Sequence, residues 1–144
     1  MGSLAQGKEM GAIPVNWWAV LVAALLRFLV GFVWYSPVAF VKPWQAVAGL
    51  TPAGMQQGMP RAIAIEISMS LLMAFALANI IGASGITDWF NGALAGLWLW
   101  AGFVVATHLP LWGFENRPFK LIAINLGCHL VSLLAMGALL GAWR

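Results

Sequence analysis

The segment LIAINLGCHLVSLLAMGALLGAW, residues 121–143, decides the class of fold. About 20 apolar residues in a helix cross the hydrocarbon core of a bilayer, and no Asp, Glu, Lys or Arg interrupts these 23 positions. Asn125 and His129 lie inside the segment, four residues apart, which places them on one face of a helix. The segment therefore predicts a transmembrane helix with polar side chains on its inner face.

The composition of the whole chain also indicates a lipid environment. Of the 144 residues, 62% are apolar and 8% are charged, whereas a soluble domain carries roughly a quarter charged residues. The net charge of +3 comes from scattered Lys and Arg residues, so the chain has no basic patch for nucleic acid. The length fits one domain, residues 1–144, whose first expected partner is the bilayer itself.

Four apolar segments are predicted to be transmembrane helices, which gives an all-α fold. They cover residues 16–36, 61–82, 89–112 and 118–143. The long connection over residues 37–60 has apolar residues at helical spacing, which predicts a helix on the membrane surface within 38–58. The other connections are tight, so consecutive helices are predicted to be antiparallel neighbours in an up-down four-helix bundle with both termini on the same side.

Aromatic residues mark the ends of the apolar segments. Trp and Tyr are enriched at membrane–water interfaces, where one part of the ring meets hydrocarbon and the polar part stays wet. Eight residues are predicted to be interface anchors on this basis: Trp17, Trp18, Trp34, Tyr35, Trp44, Trp89, Trp112 and Trp143.

Basic residues predict the orientation in the membrane. The first and third loops and their flanks hold Lys42, Arg61, Arg117 and Lys120, whereas the terminal regions hold Lys8 and Arg144. Cytoplasmic loops carry the excess of Lys and Arg. Loops 37–60 and 113–117 are therefore predicted to be cytoplasmic, and the termini are predicted to lie on the opposite side.

Polar residues within the segments fall in one half of the predicted bundle. At 1.5 Å rise per residue, Arg27, Glu66, His108, Asn125 and His129 lie within about 15 Å of the surface formed by the first and third loops, with His108 at about 7 Å and His129 at about 15 Å. The predicted cluster consists of Arg27, Glu66, His108, Asn125, His129 and Ser132. Arg27 and Glu66 are expected to pair, because an unpaired charge in lipid is costly. The cluster can serve helix packing, or it can form a pocket for a proton, an ion or a small ligand.

Two small-residue motifs predict close helix contacts, either within the chain or with a partner helix. They are Gly92-x-x-x-Gly96 and Gly137-x-x-x-Gly141. Neither G-x-S-x-G nor H-E-x-x-H occurs, so no enzyme activity is predicted. A single cysteine, Cys128, provides no disulfide framework and no Cys-based metal cage. No metal or cofactor is predicted, although a buried histidine leaves haem or a chlorophyll-type pigment open.

Both ends of the chain resemble a family of small bacterial membrane proteins known only as a domain of unknown function. The matching stretches are NWWAVLVAALLRFLVGFVWYSPVAFVKPW, residues 16–44, and FENRPFKLIAINLGCHLVSLLAMGALLGAW, residues 114–143. They carry the family's Asn-Trp start, its W-Y-S-P turn, its I-N-x-G-x-H-L-x-S-L core and its G-A-W end. The resemblance implies a four-helix protein of the bacterial inner (cytoplasmic) membrane, with Asn125, His129 and Ser132 at pattern positions. It implies no activity, and Arg27 stands where the family usually has an apolar or small residue.

The sequence favours a function based on helix–helix association, as a homo-oligomer or an accessory subunit of a larger membrane complex. A small oligomeric transporter or channel that uses the polar cluster is the alternative. A subunit that binds a cofactor or pigment through a buried histidine is a second alternative. The confinement of polar residues to one half of the bundle favours the first reading, because a translocation path needs polar groups through the full depth of the membrane.

Overall fold

The computed structural model describes residues 13–143, and within this range the fold is entirely helical, which confirms the predicted all-α class. The α-helices are α1 (Trp17–Trp34), α2 (Val41–Ala48), α3 (Pro52–Ala83), α4 (Trp89–Leu99), α5 (Ala106–Glu115) and α6 (Phe119–Ala142). A π-helical segment, Trp100–Val105, joins α4 to α5. Lys8 and Arg144, on which part of the predicted orientation rests, lie outside the described residues.

Four helices are long and apolar enough to cross a membrane. They are Trp17–Trp34, Pro52–Ala83, Trp89–Glu115 and Phe119–Ala142. The third of these is continuous through α4, the π-helical segment and α5, so it runs past the predicted end at residue 112. The sidedness and the membrane depth of each helix stay predictions.

Polar side chains fix the points at which three of the helices begin. The Asn16 side chain accepts hydrogen bonds from the backbone N–H groups of Trp18 and Ala19 at 3.1 and 3.2 Å, which caps α1. Asp88 caps α4 by accepting from the Asn91 N–H at 2.9 Å. These side chains satisfy donors that have no partner within the first helical turn.

The second long helix begins earlier than the apolar pattern predicts. Thr51 accepts a hydrogen bond from the Gly54 N–H at 3.2 Å, and Pro52 occupies the first helical turn, where its fixed φ is favourable. The helix then continues through Pro60, at which the predicted loop 37–60 was expected to end. With 32 residues, α3 is about 48 Å long, which exceeds the hydrocarbon thickness of about 30 Å.

The central helix of the bundle is α6, which packs against α4, α1 and α3. Within its most apolar window, 39% of the residues are buried, against 6% for the third span. The tight loop between α3 and α4 does not make these helices close neighbours, because they touch only sparsely. The fourth span therefore contacts all three others, and among the consecutive spans that were predicted to be neighbours, only the second and third touch sparsely.

The apolar core lies between α1, α3 and α6 in the half of the bundle nearer the termini. Its buried members are Ala19, Val20, Ala23, Ala24, Ala74, Leu77, Ile81, Leu133, Met136 and Leu140. No charged side chain belongs to this core. The polar residues thus lie toward the other half, beyond a block of packed apolar side chains.

Candidate functional site

Arg27 on α1 is the centre of the polar cluster. Its side chain is 8% exposed, and its Nη1 donates hydrogen bonds to Glu66 Oε1 and, at 2.7 Å, to Ser70 Oγ on α3. Its Nε is buried and has no hydrogen-bond partner among the described residues. The structure thus brings together the two charged residues that were expected to pair. Ser70, one helical turn after Glu66, completes the contact.

Glu66 differs from Arg27 in its exposure. Of its side chain, 40% is accessible on the outside of the chain, although the residue lies within an apolar helix long enough to cross a membrane. The ion pair therefore runs from a buried guanidinium to a carboxylate at the surface of the bundle. An arrangement of this kind leaves one side of the carboxylate open to whatever surrounds the protein.

The end of α1 is connected to α6 by two aromatic side chains. The Tyr35 hydroxyl donates to Asn125 Oδ1 at 2.7 Å, and the Trp34 Nε1–H donates to the Ile124 carbonyl oxygen at 3.0 Å. The Trp34 ring also lies over Gly127, where a Cβ would come within 2.8 Å of it. Trp34 and Tyr35 were predicted to be interface anchors, and the structure gives them hydrogen bonds inside the bundle.

A second indole, in the π-helical segment, donates to the same helix. The Trp100 Nε1–H donates to the Leu126 carbonyl oxygen at 2.8 Å. The backbone of α6 therefore accepts side-chain hydrogen bonds from both α1 and the π-helical segment. The sequence does not predict this contact, because an indole donor and a backbone acceptor on different helices leave no pattern in the sequence.

The two histidines of the chain meet between α5 and α6. The ring centroids of His108 and His129 are 5.6 Å apart, with an angle of 58° between the ring planes. His108 Nδ1 lies 2.8 Å from the Val104 carbonyl oxygen. The sequence placed both residues in the cluster but at different depths, so it did not predict this contact.

The remaining predicted member, Ser132, is buried with 2% of its surface exposed. Its neighbour one turn earlier on α6, Cys128, is also buried. The cluster as a whole joins α1, α3, α5 and α6, with Arg27 as its buried centre.

The four glycines of the small-residue motifs lie at the contact between α4 and α6. A Cβ added to Gly92 would overlap the Gly137 carbonyl oxygen, and a Cβ added to Gly137 would overlap that of Gly92. The same holds for Gly96 against Leu133, and Gly141 contacts the backbone of Asp88 and Gly92. Both motifs are therefore occupied within the chain.

Several predicted anchors are exposed at the outer surface of the bundle. Exposed fractions exceed two fifths for Trp17, Trp18, Trp89, Trp112 and Trp143. Trp44 on α2 instead packs edge-on against Tyr35, with ring centroids 5.2 Å apart. The short helix α2 thus folds back over the polar half of the bundle and contacts α6.

Charged side chains at the ends of the apolar spans form ordinary surface contacts. Arg117 Nε donates to Glu115 Oε2 at 2.7 Å at the end of α5, and both side chains are about half exposed. Hydrogen bonds from the backbone and side chain of Asn91 hold the pKa of Asp88 below its ordinary value. Within residues 13–143, no three His, Cys, Asp or Glu side chains lie together as in a closed metal cage.

The fold and the cluster define a small multi-pass membrane protein of four apolar helices with a polar network in one half. The chain belongs to the family described as "Protein of unknown function (DUF1761)", whose model matches residues 18–141. The predicted membership of a domain-of-unknown-function family is thereby confirmed. No curated protein and no solved structure matches the chain.

Proposed function

We propose that the protein acts by helix–helix association in the membrane, as a homo-oligomer or as an accessory subunit of a larger membrane complex. The observation that carries this proposal is the exposure of Glu66. A charged side chain in a membrane span is costly unless it faces protein or water, and 40% of the Glu66 side chain faces outward. A second protein surface over Glu66 removes this exposure.

The carboxylate has the capacity for an additional contact. Oε1 accepts from Arg27, and within the described residues Oε2 has no donor, so it can accept a hydrogen bond from a neighbouring helix. Met69, one turn along the same face of α3, is 45% exposed and gives this surface an adaptable apolar rim. The surface formed by Glu66 and Met69 is therefore the proposed association face.

Two further features support association over translocation by a single chain. Ala23, Leu77 and Met136 belong to the apolar core between α1, α3 and α6, and this core closes the half of the bundle that lacks charged groups. The small-residue motifs are occupied within the chain, so the association face lies elsewhere on the surface. A core filled with apolar side chains, next to an exposed carboxylate, is more typical of a docking subunit than of a channel.

Photo-cross-linking in native membranes, from an introduced cysteine labelled with a maleimide–benzophenone reagent, tests the proposal, because the activated benzophenone inserts into C–H bonds of any neighbouring chain. In a chain whose Cys128 is replaced by Ala, Met69→Cys is compared with Ile67→Cys. Both native side chains are about half exposed, but position 67 points about 100° away from Glu66 around the helix. We expect a cross-linked species with Met69→Cys and little or none with Ile67→Cys.

The identity of the cross-linked product separates the two forms of the proposal. A product of twice the chain mass indicates a homo-oligomer, and a larger product that contains one copy indicates an accessory subunit. Equal cross-linking at the two positions, or none at position 69, contradicts the proposed face.

A further inference from the structure

We propose that His108 and His129 form a binding site for a d-block metal cation such as Zn²⁺ at the contact between α5 and α6. Imidazole nitrogen is a preferred ligand of Zn, Cu, Fe and Ni ions. The chain contains only these two histidines, and the fold brings them together from positions 21 residues apart. This site is independent of the association face on α3.

The spacing of the two rings suits a shared ion. Two imidazoles bound to one tetrahedral Zn²⁺, at Zn–N distances of about 2 Å, have ring centroids about 5 Å apart. The observed separation is 5.6 Å with the rings inclined to each other. Small rotations of the side chains are therefore sufficient to direct one nitrogen of each ring to a common point.

The hydrogen bond of His108 prepares its other nitrogen for a metal. A carbonyl oxygen only accepts, so the contact of 2.8 Å requires that Nδ1 carries the proton and donates to the Val104 oxygen. Nε2 then bears the free lone pair. Metal-binding histidines almost always donate their second ring N–H to a carbonyl, carboxylate or water in this way.

His129 also has ring nitrogens available for a metal. Its ring contacts His108, and no group within residues 13–143 forms a hydrogen bond with either of its nitrogens. An imidazole in an apolar helix gains a partner when a metal binds. The neighbouring charge of Arg27 is balanced by Glu66, so the cluster carries no net charge before the ion enters.

The π-helical segment Trp100–Val105 independently supports a functional role for the contact between His108 and His129. A π turn adds a residue to the helix and rotates every later side chain by about 100° relative to a regular helix. His108 lies three residues after the end of the segment, and Val104 within it provides the acceptor. Such insertions occur frequently at functional sites.

The ligand set indicates what kind of site this is. Two imidazoles occupy two positions of a tetrahedral ion, and no third His, Cys, Asp or Glu joins them within the described residues. The other two positions are left for water or an exchangeable ligand, whereas a catalytic zinc site has three protein ligands and one open position. The ion is therefore exchangeable, unlike the ion of a closed structural site.

Metal titration of the purified full chain tests this proposal. The chain is prepared in mild detergent with an affinity tag that lacks histidine, stripped with a chelator and titrated with Zn²⁺. We expect one Zn²⁺ per chain for the wild type, and at least a tenfold weaker affinity for His108→Gln and for His129→Gln. Cys128→Ala, next to His129 in sequence, is the matched control and keeps the wild-type affinity.

A spectroscopic measurement on the wild type covers the case in which a variant fails to fold. Cu²⁺ bound at the site should show an electron paramagnetic resonance spectrum with hyperfine splitting from two equivalent nitrogens. The proposal is overturned if the wild type binds no Zn²⁺, if its Cu²⁺ spectrum lacks the two nitrogens, or if both histidine variants titrate like the wild type.

Discussion

The two halves of the bundle are held together in different ways. In the half nearer the termini, the backbones of α4 and α6 touch at Gly92 and Gly137, next to an apolar core. In the other half, the helices are joined by separate side-chain hydrogen bonds from Arg27, Tyr35 and Trp100. The backbone contact has no side chain that can adjust to a substitution. The hydrogen-bonded half is held by several separate bonds, and each of them can be removed by one substitution.

This difference predicts how each half responds to mutation. A methyl group introduced into a contact between two helix backbones forces both helices apart, so the substitution affects the whole interface. A hydrogen bond between membrane helices contributes about 0.6 kcal/mol on average. We therefore expect large effects at the glycines, intermediate effects at the ion pair and small effects at the single hydrogen bonds.

The largest effect is expected for Gly137→Ala. Its new Cβ would overlap the Gly92 carbonyl oxygen, and a helix backbone cannot move aside locally. The free energy of unfolding should fall by about 3 kcal/mol, measured by reversible unfolding in detergent micelles. Gly102→Ala is the control, because nothing lies within 4 Å of its Cβ position, and it should be neutral or slightly stabilising. Similar effects at the two positions would refute the backbone contact.

The ion pair should respond asymmetrically, because the side chain of Arg27 is 8% exposed and that of Glu66 is 40% exposed. Glu66→Leu leaves a buried guanidinium unpaired and should cost about 3 kcal/mol. Arg27→Met leaves a carboxylate at the surface of the bundle, where water in the detergent micelle can solvate it, and should cost about 1 kcal/mol. The double variant should recover most of the stability lost in Glu66→Leu. A larger cost for Arg27→Met than for Glu66→Leu would mean that the burial of the pair is misassigned.

A smaller effect is expected for Tyr35→Phe, which removes the hydrogen bond to Asn125 and keeps the ring. The stability should fall by about 0.6 kcal/mol. Ser68→Ala is a suitable control, since its hydroxyl bonds only to the Ala64 carbonyl of its own helix. The same unfolding assay measures both variants, and equal losses would show that Tyr35 does not connect α1 to α6.

The smallest effect concerns pH and the cap of α4. The Asn91 N–H lowers the pKa of Asp88 from its ordinary value of 3.8, so the charged cap stabilises the folded state fully above that value. This contribution is lost as the pH falls below 3.8 through the lower folded-state pKa. Thermal unfolding from pH 5 downward should therefore show a decline in the wild type that is reduced in Asp88→Asn. Parallel pH profiles would contradict the hydrogen-bonded cap.

Helical periodicity and the cost of charge in lipid made much of this fold predictable. Apolar runs of sufficient length predicted four helices, and the expected pairing of Arg27 with Glu66 follows from the absence of any other acid within a predicted span. The glycine spacing predicted a close contact without naming its partner. These features depend on local pattern or on strong energetic penalties.

Other features depend on three-dimensional fit and leave no comparable pattern. The continuation of α3 through Pro60 contradicts the usual reading of proline as a helix end, which holds only where the lost hydrogen bond and the ring clash are not accommodated. The π-helical segment shifts the face of every later residue, so the contact of His108 with His129 could not be read from spacing. The donation of Trp34 to Ile124 involves a backbone acceptor that every residue possesses.

Native mass spectrometry of particles excised from the native membrane with a styrene–maleic acid polymer tests the central claim most directly. The account predicts that the wild-type chain is released in particles that contain more than one protein chain. It also predicts that the folded double variant Arg27→Met/Glu66→Leu, which has no exposed carboxylate on α3, shifts toward single chains. A wild type found only as single chains, or a double variant that associates like the wild type, would contradict association through Glu66.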